Sequence, residues 1–320
     1  MSLPPERDAQ ADCVHILMAV FNGAETLPAQ LDSFEAQTHE NWRVLASDDG
    51  SSDDSRNILA SFRKRHGSSR IDIIDGPRQG AAENFLGMLR HVADQSRAPQ
   101  WIAFSDQDDV WLSDKITRAL TALKGQDQAA PALYCSRTWV TCDTLETRRL
   151  SAPRHRAPDF RNALVQNIAA GNTIVLNPAA VKLVLDAAQR VGRVVVHDWW
   201  LYQLITGAGG TVIHDDTPGL LYRQHGANQI GVNDTWRARG HRLVQLLRGE
   251  FRAWNHVNIA ALRATAHVLH PDHRAALETF AHLSSQPLLR RLSLLRQLRL
   301  YRQTVGGTLT LWFAVVFRLV

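Results

Sequence analysis

The chain has 320 residues, 45% of them hydrophobic, which is enough for one large core or two modest ones, and the length prior of roughly 100–200 residues per domain favours two. A formal net charge of +5 marks a folded protein suited to an anionic partner, whether nucleic acid, lipid or small molecule, without choosing among them. Cys13, Cys135 and Cys142 form no CxxC pair, so neither a disulfide framework nor a zinc ribbon is indicated, and a reducing cytosol is expected. Residues 1–12 carry acids and prolines with no apolar h-region and read as a flexible N-terminus rather than a signal peptide. No stretch reaches the roughly 18 apolar residues of a spanning helix.

From Val14 short apolar runs alternate with longer segments of helical period, as a parallel sheet with crossover helices requires. "VHILMAV" reads as a buried strand, and "NGAETLPAQLDSF" turns and becomes a helix with Leu27, Leu31 and Phe34 on one face. "WRVLASDDG" is a second strand ending in acids. "SSDDSRNILASFRKRHG" is a helix with acids in its first turn and bases in its last, the order its dipole prefers. "RIDIID", "AAENFLGMLRHVAD" and "WIAFSD" supply strand, helix and strand. The expectation is a doubly wound α/β domain. Ligands of such sheets bind beyond the carboxyl ends of the strands, where Asn22 and Gly23, Asp48 and Asp49, and Asp106 to Asp109 fall. From about Trp236 the chain becomes helical and rich in arginine. Val244, Leu247, Phe251, Trp254, Val257, Ala261, Ala264 and Val268 predict one packed stripe, and a second helix is expected over His273–Ser284.

"FSDQDDVW" crowds Asp106, Asp108 and Asp109 into four positions. The arrangement is either a solvated acidic turn with Asp114 capping the next helix, or a set of carboxylates around a divalent cation. An EF-hand loop does not fit, because Val110 and Trp111 stand where it needs an oxygen ligand and a glycine. The position at a strand end favours Mg2+ or Mn2+ shared with a diphosphate, hence a nucleotide. Neither a Walker GxxxxGK[ST] nor a GxGxxG cradle is present to hold the phosphates instead.

"MAVFNGAETLPAQLDSF", "ASDDGSSDDS", "NFLGMLRHV" and "FSDQDDVW" resemble, in order, the sugar-nucleotide half of family 2 glycosyltransferases of the GT-A fold. "AAGNTIVLN", "HDWWLYQL" and "YRQHGANQIG" resemble the acceptor half of the bacterial rhamnosyltransferase-like subgroup, and the likeness covers residues 14 to about 231. It implies a GT-A domain over 13–235, divided into a nucleotide-sugar half (13–125) and an acceptor half (126–235), followed by a helical, Arg-rich region over 236–320. It further implies that Val20, Phe21 and Asn22 line a pyrimidine pocket with Asp49, that Asp106 faces ribose and metal, and that Asp108 is the main metal ligand. Asp109 either joins the metal or orients a basic side chain or a donor-sugar hydroxyl.

An inverting transfer needs one base beside the acceptor hydroxyl, and Asp198 in "VVVHDWW" is the candidate. The family commonly has an acid before that carboxylate, whereas this chain has His197, which either shares the proton work or holds Asp198 in place. Trp199 and Trp200 are candidates for stacking on a sugar or for the core. Gly171 offers close backbone approach and Asn172 a hydroxyl contact. Arg223 and His225 are expected to reach the diphosphate, His225 also as a metal partner, from a loop that Gly226 and Gly231 let close. The implied donor is a nucleoside diphosphate sugar, dTDP-L-rhamnose foremost, and the implied acceptor a saccharide or lipid-linked oligosaccharide of a bacterial surface polysaccharide. The tail "LLRRLSLLRQLRLYRQ" with "LTLWFAVVF" suits either an anionic membrane surface, placing the protein on the inner face of the cell membrane, or a hairpin packed on the catalytic domain. Two other classes stand beside this reading: a catalytically silent scaffold that binds nucleotide sugar, and an RNA-binding protein. No aromatic and basic interleaving of an RNA motif is found in the predicted strands, so no nucleic-acid partner is expected.

Overall fold

In the computed structural model, which describes residues 12–223 and 250–320, Val14–Val20 (β1) lies inside a seven-stranded sheet with both faces covered. That is why its sequence shows no polar alternation. Leu27–Glu35 (α1), Trp42–Asp48 (β2), Ser55–His66 (α2), Ile71–Asp75 (β3), Ala81–Ala93 (α3) and Trp101–Ser105 (β4) follow as the apolar runs predict. Beyond them come Val110–Trp111 (β5), Lys115–Lys124 (α4), Ala132–Ser136 (β6), Trp139–Thr141 (β7), Arg148–Leu150 (β8), Phe160–Ala163 (α5), Val175–Leu176 (β9), Pro178–Arg190 (α6), His197–Gly207 (α7), Thr211–Asp215 (β10) and Leu220–Arg223 (β11).

The large sheet runs β10-β6-β9-β4-β1-β2-β3. All its neighbours pair in parallel except β9, which runs against β4 and β6. The register sets Val20 opposite Asp48 and Met18 opposite Ser105, so the loops after β1, β2 and β4 emerge at one edge. A second sheet, β5-β11-β7-β8, covers the chain just after the acidic loop. Its strands are two to four residues long and carry no readable alternation. Ile16, Met18 and Val20 pack into one apolar core and Leu17 into another, the period of two expected of a strand buried on both faces. Phe34 meets Trp111 edge-on at 4.8 Å between ring centres, tying α1 to the acidic loop.

A third core joins Phe160, Leu164 and Val165 to the C-terminal helices Glu250–Ala264 (α8), Pro271–Ala281 (α9), Leu288–Leu298 (α10) and Val305–Val316 (α11). The sequence stripe on α8 is corrected: Phe251, Trp254 and Val257 are half-buried and Ala264 is exposed, while Asn255, Asn258, Ala261 and Leu262 face inward. The helix rotates to set Trp254 edge-on against Trp199. Val244 and Leu247 lie outside the described residues. The helix expected over His273–Ser284 begins earlier, because Pro271 occupies its first turn, and it ends at Ala281 before a short 3-10 turn. The tail is a hairpin docked on the catalytic part. Tyr301 and Gln303 bond to residues 157–166, with Asn162 Nδ2 donating to the Tyr301 carbonyl at 3.0 Å and Gln303 N to Gln166 Oε1 at 2.8 Å. No helix among the described residues is long and apolar enough to cross a membrane.

Candidate active site

The loop after β2 is fully cross-braced. Asp48 Oδ1 accepts from Ser51 N and Oγ at 3.0 and 2.6 Å, and its Oδ2 pairs with Arg56 at 3.3 Å. Asp49 accepts from the backbone N–H groups of Arg78 at 2.7 Å and Gly80 at 2.8 Å, which joins it to the loop after β3. Asn22, at φ 49°, accepts from Ser52 N through its side chain, and its own N–H donates to Ser51 Oγ at 2.9 Å. Phe21 is 55% exposed beside this loop, whereas the Val20 side chain is in the core, so only the backbone of Val20 can border a pocket.

After β4 the picture differs. Carboxylate oxygens of Asp106, Asp108 and Asp109 lie within 4.8 Å of one another. Burial, then the Asp108 and Asp198 carboxylates, push the Asp106 carboxyl up to about 7. Asp109 is fully buried; burial first, and the two neighbouring acids next, raise its carboxyl well above the ordinary range. One of its oxygens accepts from Asn172 Nδ2 at 2.5 Å, and the other has no partner. An unsatisfied buried oxygen of this kind costs roughly 1–3 kcal/mol, more when charged. A cation among the three groups would remove both penalties, so the residues fit a divalent metal with oxygen ligands.

Asp198 sits in the first turn of α7, where the helix dipole favours a negative charge. It accepts from Trp199 N at 2.6 Å and Gly171 N at 3.1 Å, and the Asn167 side chain also bonds it. Burial nevertheless pushes its carboxyl up to about 6. The turn Gly171–Thr173 thus links the two ends of the site: Gly171 holds Asp198, and Asn172 holds Asp109.

His197 is packed into an apolar pocket behind Asp198. Its ring stacks on Phe85 at 3.8 Å and lies near Phe104, its Nε2 is buried without a partner, and burial drives its pKa down to about 3. The absence of a side chain at Gly171 serves this ring, since a Cβ there would stand 2.6 Å from His197 Nε2. Trp199 and Trp200, 5% and 0% exposed, belong to the core and present no face to a sugar; Trp199 Nε1 donates to the Ala163 carbonyl at 2.7 Å. Asn172 is likewise buried; its amide nitrogen donates to Asp109, while its amide oxygen has no partner among the described residues. Arg223 Nε donates to the Asp108 carbonyl at 3.0 Å, and its Nη1 to that of Asp143, so it braces the acidic loop from behind. His225, Gly226 and Gly231 lie outside the described residues.

Two residues escaped the sequence reading. Gln107, between the acids, donates through Nε2 to the Phe21 carbonyl at 2.8 Å and accepts from Phe21 N at 2.6 Å, clamping the loops after β1 and β4 together. Gly23 leaves room for that amide, since a Cβ would meet it at 2.4 Å. Lys115 is fully buried with its ammonium 3.0 Å from the Trp111 ring centre, and burial holds its pKa well below normal against the pull of Asp109.

Residues 15–179 match the family model described as Glycosyl transferase family 2. The dTDP-rhamnosyl transferase RfbG of Shigella flexneri is 27% identical over 232 residues, 71% of this chain and 78% of its own. The Escherichia coli UDP-Glc:alpha-D-GlcNAc-diphosphoundecaprenol beta-1,3-glucosyltransferase WfgD is 32% identical over 111 residues, 34% of this chain and 40% of that relative. The S. aureus TarS fragment 1–349, solved with UDP-GlcNAc, superposes with a TM-score of 0.55 at 12% identity, covering 96% of this chain and 82% of its own, a likeness of fold. With the sheet order, the acids gathered at one edge and a family model spanning just over half of the residues, the chain belongs to glycosyltransferase family 2 and has the GT-A fold.

Proposed function

We propose that this glycosyltransferase moves L-rhamnose from dTDP-L-rhamnose to a hydroxyl of a glycan or lipid-linked acceptor, inverting the anomeric centre, in the assembly of a bacterial surface polysaccharide. The observation that carries the reading is the pairing of a close carboxylate cluster, Asp106, Asp108 and Asp109, with a separate carboxylate, Asp198, across one short turn. Rhamnose is preferred because RfbG, named a dTDP-rhamnosyl transferase, matches 71% of this chain.

Asp106, Asp108 and Asp109 would hold Mg2+ or Mn2+, which when bound supplies positive charge against the leaving diphosphate. Asp49, fixed by two backbone N–H groups, would face the base beside Phe21 and Asn22. Asp198 would take the proton of the acceptor hydroxyl as its oxygen attacks the anomeric carbon from the face opposite the diphosphate. Gly171 and Asn167 hold that carboxylate in position, and the neutral, stacked His197 excludes water behind it. A single displacement on a β-linked donor gives an α-rhamnoside. Arg223 acts in this reading by keeping the acidic loop in shape; His225 is retained as a phosphate or metal partner on sequence grounds.

The C-terminal helices would rest on the anionic inner face of the cell membrane, where a lipid-linked acceptor is presented. Val305, Leu309, Phe313 and Phe317, 80%, 65%, 44% and 58% exposed, recur every four residues along α11, and residues 279–320 hold six arginines and no Asp or Glu. Calorimetric titration with dTDP-, UDP- and GDP-sugars, each with Mn2+, Mg2+ or EDTA, tests the donor assignment. Cation-dependent binding of dTDP-L-rhamnose is expected. Binding of another nucleotude class alone would overturn the donor, and equal binding in EDTA would overturn the metal.

A further inference from the structure

A cavity of about 340 Å³ opens between α8, the end of α9 and the segment after α11. It shares no residue with the carboxylate site. Arg252, His256 and Arg318 line it together with Asn255 and Val320, no Asp or Glu side chain does, and the Ser284 and Ser285 hydroxyls at its edge donate to the main-chain oxygens of Val320 and His282. None of the three basic side chains has an ion pair within the described residues. Asn255 is 3% exposed, yet neither its amide nitrogen nor its amide oxygen has a partner. A folded chain does not leave both ends of a buried amide unsatisfied without a cost, and here the orphan belongs to the cavity wall. The same corner gathers a further positive charge. Arg291, whose Nη1 donates to the carbonyls of Val315 and Val316, has its pKa lowered by burial and then by Arg318. Arg318 itself is held at φ 58°, a left-handed conformation that a non-glycine residue adopts only when its surroundings impose it.

Guanidinium groups, a ring nitrogen and a free amide donor around a cavity that no Asp or Glu side chain enters are the donor set of a phosphate site. We propose that this cavity binds a phosphate-bearing anion, either the phosphate of a membrane lipid or lipid-linked acceptor, or a soluble phosphate or diphosphate. Its volume accommodates more than one phosphate group. Its location gives the binding a use: Trp254, on the helix that carries Arg252, Asn255 and His256, packs edge-on against Trp199, the neighbour of Asp198. A phosphate held there anchors the helix that supports the proposed base, from a position next to the exposed apolar row of α11.

The test uses the full chain in EDTA, so that the carboxylate cluster holds no cation, with inorganic pyrophosphate as the probe in isothermal titration. Saturable binding that weakens with salt is expected. Arg318→Gln should weaken it at least tenfold while dTDP-sugar binding with Mn2+ stays within twofold. Asn255→Leu guards against a merely misfolded variant: removing the orphaned amide should raise the melting temperature of the unliganded protein and abolish the stabilisation that pyrophosphate gives. Flotation with phosphatidylcholine vesicles, with and without phosphatidic acid, identifies the source. Binding to the acidic vesicles that pyrophosphate competes away means a lipid phosphate, and pyrophosphate binding without vesicle competition means a soluble one. Absence of pyrophosphate binding by the wild-type chain, or binding unchanged in both variants, overturns the site, whatever the donor titration gives.

Discussion

Two loops at the same edge of the sheet are rich in aspartate and use it in opposite ways. After β2, Asp48, Asp49 and Asp53 have both oxygens engaged, by backbone N–H groups, by Ser51 or by Arg56; Asp53 accepts from Ala24 N and Ser55 N at 2.9 and 3.0 Å. After β4, Asp109 keeps a buried oxygen with no partner, and burial and mutual repulsion raise the carboxyls of Asp106 and Asp109. Satisfied acids build a loop. An acid with a buried oxygen left unpaired, kept close to two others at a cost in stability, points to a ligand that completes it.

The sharpest way to break that contrast is Asp108→Ala. If the β4 acids await a cation, transfer should fall by about 10⁴-fold, corresponding to the several kcal/mol of charge stabilisation that a bound metal supplies. Cation-dependent nucleotide binding, followed by titration, should weaken with it. Full activity in the variant would return the cluster to the class of solvated turns.

Asp198→Asn separates binding from chemistry at the other end of the Gly171–Thr173 turn. The amide keeps the shape of the side chain but accepts no proton, so kcat should drop by about 10³-fold while donor affinity stays nearly unchanged. In the parent enzyme the working form is the ionised carboxylate, whose pKa is pushed up to about 6. The rate should therefore climb as pH rises through about 6 and level off above it, and the variant should lose that limb. Equal loss of donor binding and turnover would make Asp198 a helix-capping residue and nothing more.

Much of this site was readable because the sheet is parallel. Chain order alone sends the residues after β1, β2 and β4 to one edge, so Asn22, Asp49 and Asp106 assemble without any knowledge of their contacts. The roles given to Asp108 and Asp198 came from the resemblance rather than from periodicity. What stayed hidden depended on partners far apart in sequence. Gln107 finds the Phe21 backbone 86 residues away, and Lys115 reads as a surface lysine until Trp111 covers it. His197, Trp199 and Trp200 carry polar atoms that fit a sugar site as well as a core, and only the Phe85 ring and the C-terminal helices decide between the two. The short side sheet and the reversed β9 leave too few residues for a pattern to form.

The smallest expected effect lies on the satisfied side of the comparison. Asp53 is exposed, and its carboxylate ties the turn after β1 to the start of α2; those hydrogen bonds hold its pKa below the usual carboxylate range although burial opposes them. Asp53→Asn keeps one acceptor oxygen and replaces the other with an amide NH2, itself a donor, so one of the two N–H groups loses its partner. Because that group can turn to water, the cost should be about 1 kcal/mol, a shift of roughly 2 °C in the thermal midpoint. Transfer measured below that midpoint should stay within about twofold of the parent, since Asn22 remains bonded to Ser51 and Ser52 and Asp49 is anchored separately to Arg78 and Gly80. A loss of turnover comparable to that of Asp108→Ala would erase the distinction between the two loops, because it would mean that an acid with every oxygen engaged still takes part in the chemistry.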